Sequence, residues 1–190
     1  MPVIKHAVYK PEINGRSFYS MLKVINKGIV KKESIKFDLY VPINIEFEVE
    51  NISEEPTIYW RTGNFIDSLI EIGIGKHKKD IRSITLTICK NVYETDNYFN
   101  KNFNVLNGSP IVCLGNINDK IYVDEIGELK AYIESKSITI LFSDNEAYYC
   151  LQNNNLCFYL DNNNFVIGLK INNIIDEDKK LLKKSLLYSE

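Results

Sequence analysis

Residues 59–89 read YWRTGNFIDSLIEIGIGKHKKDIRSITLTIC, and their period decides the fold. Ile70, Ile72 and Ile74 alternate with Glu71 and Gly73; after the polar turn GKHKKD, Ile84, Leu86 and Ile88 alternate with Thr85 and Thr87. An apolar residue at every second position puts one face of an extended chain in a core and the other in water. Two such runs around a lysine-rich turn are read as a β-hairpin. Gly73 and Gly75 mark a bulge or the hairpin end.

The same period runs upstream. Ile35, Phe37, Leu39, Val41, Ile43, Ile45, Phe47 and Val49 occupy one parity, and Lys36, Asp38, Tyr40, Pro42, Asn44, Glu46, Glu48 and Glu50 the other. Pro42 has no amide hydrogen for a ladder, so it implies an edge, a bulge or a split into two strands. In Ser17 to Val30 the period is ambiguous. Phe18, Met21 and Val24 are three apart, as on a helical turn, whereas Ile29 and Val30 favour a strand; the segment is read as mostly strand, with an N-terminal helix as the other possibility.

Downstream, Lys90 to Pro110 is rich in Asn with scattered aromatics and is too polar for a core strand pair. It is read as a long excursion, a length that usually has a functional reason. Strands are then expected at 111–114, 121–126, 129–133, 138–142, 147–151, 156–160 and 165–171, separated by Asn- and Asp-rich turns. The segment DEDKKLLKKSLLY from Asp176 has acids early and lysines late, which suits a helix dipole, with Asp176 as N-cap. With no linker evident, the expectation is one domain over residues 1–190. It is mainly β (α+β): an antiparallel sheet sandwich or strongly curved sheet with a C-terminal helix.

Composition narrows the function classes. Net charge of -2 argues against direct nucleic-acid binding, which usually shows a basic face. No uninterrupted apolar run reaches the about 18 residues of a membrane-spanning helix, so no membrane role is expected. Cys89, Cys113, Cys150 and Cys157 lack CxxC spacing and sit in apolar runs. They are read as reduced thiols in a cytoplasmic protein, with no metal or other cofactor. The chain has 22 Asn and 27 Ile, a bias that gives any single Asn little weight.

Chemistry-bearing motifs are sparse. The sequence has no nucleophile elbow, P-loop or dinucleotide fingerprint, and of its two histidines, His77 lies in the solvated KHKK turn. The chain is therefore read as a non-enzyme. Glu46, Glu48 and Glu50, at i, i+2 spacing on one strand face, form either a solvated face or an acidic stripe for a basic partner. Asp124, Glu125 and Glu128 are a second acidic group. Trp60 and Arg61 are residue types that dominate interface hot spots, although a core or edge packing role is the preferred reading of Trp60. Trp60 and the edge strands leave dimerisation open.

The stretch GNFIDSLIEIGIGKHKKDIRSITLTIC (63–89) resembles a hairpin found in immunity proteins of bacterial contact-dependent inhibition and related polymorphic toxin systems. The ending LCFYLDNNNFVIGLKINNIIDEDKKLLKKSL (156–186) is similar to the hairpin and charged terminal helix of such proteins. The resemblance implies a cytoplasmic immunity protein that neutralises a cognate toxin C-terminal domain, such as a nuclease, by stoichiometric binding. A nuclease cleft is basic, so the acidic stripe would complement it. The alternative from another class is a β-rich module binding a small molecule or sugar, with Tyr148, Tyr149 and Tyr159 lining the site.

Overall fold

The computed structural model describes residues 22–48, 55–99, 103–115 and 120–187. In chain order the strands are β1 (Lys23–Gly28), β2 (Glu33–Lys36), β3 (Ile43–Phe47), β4 (Thr57–Gly63), β5 (Ser68–Gly75), β6 (Ile81–Cys89), β7 (Val92–Glu94) and β8 (Asn104–Asn107). They continue as β9 (Ser109–Cys113), β10 (Tyr122–Ile126), β11 (Lys130–Ile133), β12 (Ile138–Leu141), β13 (Tyr149–Asn153), β14 (Leu156–Leu160) and β15 (Val166–Ile171), and helix α1 (Asp176–Leu187) follows.

A six-stranded sheet in the order β10-β4-β5-β6-β3-β2 faces a seven-stranded sheet in the order β7-β11-β12-β15-β14-β13-β8. The two form a β sandwich, with α1 after the last strand. Their inner faces share one apolar cluster, in which Ile43, Ile45, Trp60, Ile70, Ile72, Ile84 and Leu86 from the first sheet join Ile138, Ile140, Phe158, Leu169 and Ile171 from the second. The Trp60 ring meets Phe142 across the sandwich edge-on, with centroids 5.7 Å apart. A two-stranded ribbon, β1-β9, bridges the sheets. Lys23 pairs with Phe165 beside β15, and Ile111 pairs with Asp80 beside β6. Leu182 and Leu186 of α1 complete the cluster. The Ile175 carbonyl accepts the Lys179 amide at 2.9 Å, so Ile175 is the N-cap and Asp176 lies one residue inside, in the acidic first turn.

Three pairings depart from the antiparallel expectation: β10 with β4, β7 with β11 and β8 with β13 are parallel. All three added strands are sheet edges. The Lys90–Pro110 excursion accounts for two of them. It lays β7 on one edge of the seven-stranded sheet and β8 on the other, and its aromatics pack on the outer face between. Tyr98 stacks on Tyr132 at 3.9 Å, and Phe99 and Phe103 lie 4.3 and 5.3 Å from Tyr159. Its polar composition fits solvent-edge strands: all four residues of β8 are exposed.

The 35–50 alternation splits around Pro42, as proline chemistry requires. β2 and β3 form a hairpin in which Ile35 opposes Ile45, and Leu39 and Tyr40 lie exposed in the loop. In the central hairpin, register shifts fall between Leu69 and Ile70 and between Gly73 and Ile74. The first takes the β6 period out of phase, so Cys89 is buried where Ile88 was expected.

Candidate functional site

The outer face of the six-stranded sheet is polar and ordered in rows. Successive pairings carry one row through Glu46, Ser83, Gly73, Tyr59 and Tyr122, and the next through Asn44, Thr85, Glu71, Arg61 and Asp124. At the β10 end these rows become a compact cluster. Tyr59 and Tyr122 stack with centroids 5.6 Å apart. Arg61 lies over the Tyr122 ring, its Cζ 4.3 Å from the centroid, and donates from Nε and Nη2 to the two Asp124 oxygens at 2.7 and 2.9 Å. Those hydrogen bonds raise the Arg61 pKa above its ordinary value.

Local chemistry sets this geometry. A Cβ on Gly73 would come within 3.3 Å of the Tyr59 ring, so the glycine gives the ring room to lie across the sheet. Gly63 has φ 139°, and a Cβ there would meet the Ser68 carbonyl oxygen at 2.1 Å. It opens a tight turn in which Asn64 Oδ1 accepts the amides of Ile66, Asp67 and Ser68 at 3.0, 2.7 and 3.0 Å. That turn holds Ile66 out in solvent, and Ile126, which opposes Gly63 on β10, is exposed as well. Ile126 and Tyr122 are 74% and 49% exposed. Among the described residues β10 pairs only with β4.

The sequence-predicted residues divide accordingly. Arg61 and Asp124 come together on this face. Trp60 and Glu125, one position along, point inward: Trp60 is fully buried and its Nε1 donates to Glu125 Oε2 at 3.0 Å. Trp60 therefore presents no surface to a partner and is a packing residue. Glu46 is exposed in the Tyr59 row, but four strands from β10, about 19 Å at ordinary strand spacing. Glu48 is exposed at the β2–β3 edge and pairs with Lys32 at 2.8 Å. Glu50 lies outside the described residues. Glu128 is exposed in the loop after β10. Tyr122 was missed; its parity with Asp124 was legible, but the parallel pairing that brings it to Arg61 was not.

The aromatics of the ligand-binding alternative do not share a face. Tyr149 packs against the main core, Tyr159 lies under Phe99 and Phe103 on the outer face, and Tyr148 is exposed. A recess lined by Glu128, Lys130, Leu141, Phe142, Ser143 and Asp144 is a shallow surface dent with essentially no enclosed volume, unlike the about 300–1,000 Å³ of ordinary ligand sites. Among the described residues no group of three or more His, Cys, Asp or Glu is placed to hold a metal ion, and no helix is long and apolar enough to cross a membrane.

No protein-family model matches the chain, and a search of curated proteins returns no match.

Two polar systems lie buried. Lys31 pairs with Asp80 and Arg82 with Glu55, with Arg82 Nε 3.8 Å from Asp80 Oδ1; none of the four side chains is more than 14% exposed. Burial pushes the Glu55 carboxyl up, but the amides of His77 and Lys78 and the Arg82 charge outweigh it and hold it below its ordinary range. At the opposite hairpin, buried Asn153 accepts the Lys31 amide at 2.7 Å and donates to the Lys31 carbonyl at 2.8 Å and to Glu33 at 2.9 Å. An Asn in the 152–155 turn thus fastens one sheet to the strand connection of the other.

Proposed function

We propose that the chain is a protein-binding module, an immunity protein that neutralises a cognate toxin domain by stoichiometric association. The observation that carries the protein-binding reading is the partly exposed Tyr59–Tyr122–Arg61–Asp124 cluster at β10, an edge strand among the described residues. Tyr and Arg dominate interface hot spots because they contribute large, rigid contact area with polar tips. The Arg61–Asp124 pair is held in place before any partner arrives, which lowers the ordering cost of association. Among the described residues the outer edge of β10 has no strand partner and can accept one, and Ile66 and Ile126 supply exposed apolar area. Glu46 extends the face as an acidic flank for a basic partner.

The toxin as partner rests on the likeness of the 63–89 and 156–186 hairpins to immunity proteins. Cytoplasmic action follows from that likeness and from the unpaired cysteines. The test is to tag this chain alone, co-express it with the reading frame immediately upstream, and ask what co-purifies. A one-to-one complex with a C-terminal toxin fragment, together with rescued growth, supports the proposal. A clean monomer with no rescue overturns it.

A further inference from the structure

Away from the β10 face, an amine and a carboxyl group are held together out of water beneath the GKHKKD turn. Lys31, between β1 and β2, donates from Nζ to Oδ2 of Asp80, the residue before β6. The two side chains are 14% and 8% exposed. Among the described residues the other Asp80 oxygen, Oδ1, has no hydrogen-bond partner. Arg82 Nε lies 3.8 Å from it. A Cβ on Gly75 would lie 2.5 Å from that oxygen and 2.7 Å from Glu55 Oε1, so the glycine lets the two carboxyl groups crowd together. Glu55 in turn holds Arg82 Nη2 and accepts the His77 and Lys78 amides. Backbone contacts fix both partners: Asn153 Oδ1 accepts the Lys31 amide at 2.7 Å, and the Asp80 carbonyl accepts the Gly75 amide at 3.0 Å. Lys170 and Glu134 form a contrasting buried pair. Lys170 and Ser137 donate to Glu134 Oε2, and the Tyr98 amide donates to Oε1 at 2.7 Å. Both Glu134 oxygens are thus engaged as a settled carboxylate, whereas Asp80 keeps one oxygen unbonded beside a cation.

We propose that Lys31 and Asp80 condense in the folded chain to an intramolecular isopeptide bond, an amide between Lys31 Nζ and Asp80 Cγ. Lys31 first passes a proton across their hydrogen bond to Oδ2, which leaves a neutral amine against a neutral carboxyl group. The Nζ lone pair then attacks Cγ, and the negative charge of the tetrahedral adduct falls on Oδ1, beside the Arg82 guanidinium. Oδ2 takes a second proton from the attacking nitrogen and leaves as water while the carbonyl reforms. The Nζ–Cγ bond forms, the Cγ–Oδ2 bond breaks, one water is released, and nothing is oxidised or reduced. Exclusion of water disfavours the charged pair against the neutral one. Fixed placement of amine and carboxyl supplies the proximity that such a condensation needs. Arg82 is in place where the oxyanion develops, and Glu55 is the positioning residue that holds it there. The product removes two buried charges, and its N–H keeps the Ile81 carbonyl, 3.4 Å from Nζ, as acceptor. The bond would lock the β1–β2 connection to the start of β6 and constrain the unfolded chain, as other cross-links do.

The experiment is intact mass spectrometry of the full chain, incubated folded and then denatured and reduced, with peptide mapping. The expected result is a chain one water lighter than its sequence. Its map should contain a branched peptide that joins the segments around Lys31 and Asp80, with no tryptic cut after Lys31. Lys31→Arg keeps the charge but cannot form this amide, so it should retain the full sequence mass. Arg82→Lys should lose water more slowly than wild type while folded, an effect on rate that a purely structural role would not produce. The wild-type mass is decisive even where a variant fails to fold. A wild-type chain that stays at full sequence mass overturns the proposal. So does a missing water that maps to a succinimide at Asp80 or to a Lys170–Glu134 link.

Discussion

The indole Nε1 of Trp60 donates to Glu125 Oε2 at 3.0 Å across the parallel junction of β4 and β10. One position along the same junction, Arg61 grips Asp124 on the opposite face. Alternation thus divides neighbouring residues between two tasks: Trp60 and Glu125 fasten the edge strand from inside, and Arg61 and Asp124 dress its outside.

Trp60→Ala should therefore cost about 3–5 kcal/mol of stability, as expected for a fully buried large aromatic. Urea unfolding monitored by circular dichroism measures it. Trp60→Phe should lose less, and at temperatures where it is folded it should bind a partner as well as wild type does. A Trp60→Phe chain of normal stability and lost binding would show that the indole itself contacts the partner.

Arg61→Ala and Asp124→Ala should change stability by at most about 1 kcal/mol, because the pair is 27% and 48% exposed. On the proposed function their effect belongs to binding. A large drop in unfolding midpoint would assign the pair to the fold.

The buried Lys31–Asp80–Arg82–Glu55 system should behave oppositely. Removing one partner, as in Asp80→Leu, strands a charge and should cost about 3–5 kcal/mol. Pairing it with Lys31→Met should recover much of that loss. If the double variant is no more stable than the single one, Lys31 is not the group that Asp80 neutralises.

Glu134 gives a pH signature. Burial raises its pKa, but hydrogen bonds from Lys170, Ser137 and the Tyr98 amide lower it more, leaving a net depression. A depressed carboxylate contributes stability that is complete above the ordinary glutamate range of about 4.3 and is lost as pH falls through the lower native value. Glu134→Gln should flatten the acid limb of stability against pH between those two values. An unchanged limb contradicts the assignment.

How far the sequence foretold this follows from the range of each interaction. The runs at 70–74 and 84–88, the turn at 161–164 and the charge order of 176–187 are local, and strands, hairpin and helix form where those patterns lie. Pro42 marked its own strand break. What is invisible locally is which edge a strand joins. Nothing within residues 122–126 says that they lie parallel to residues 59–63, so Tyr122 could not be placed beside Arg61. The Asn-rich turn at 152–155 looked like compositional drift because its partners, Lys31 and Glu33, are more than a hundred residues away. Likewise, nothing local to Arg82 says that Glu55 and Asp80 close around it.

The most direct test of the central claim measures binding at the β10 edge. The tagged chain, its Arg61→Ala/Tyr122→Ala variant and its Trp60→Phe variant are each co-expressed with the reading frame immediately upstream, and complex recovery and growth are scored. The account predicts a one-to-one complex and growth for wild type and Trp60→Phe, and loss of both for Arg61→Ala/Tyr122→Ala with its unfolding midpoint unchanged. Full recovery and growth with the Arg61→Ala/Tyr122→Ala variant, or no complex with the wild-type chain, would contradict it.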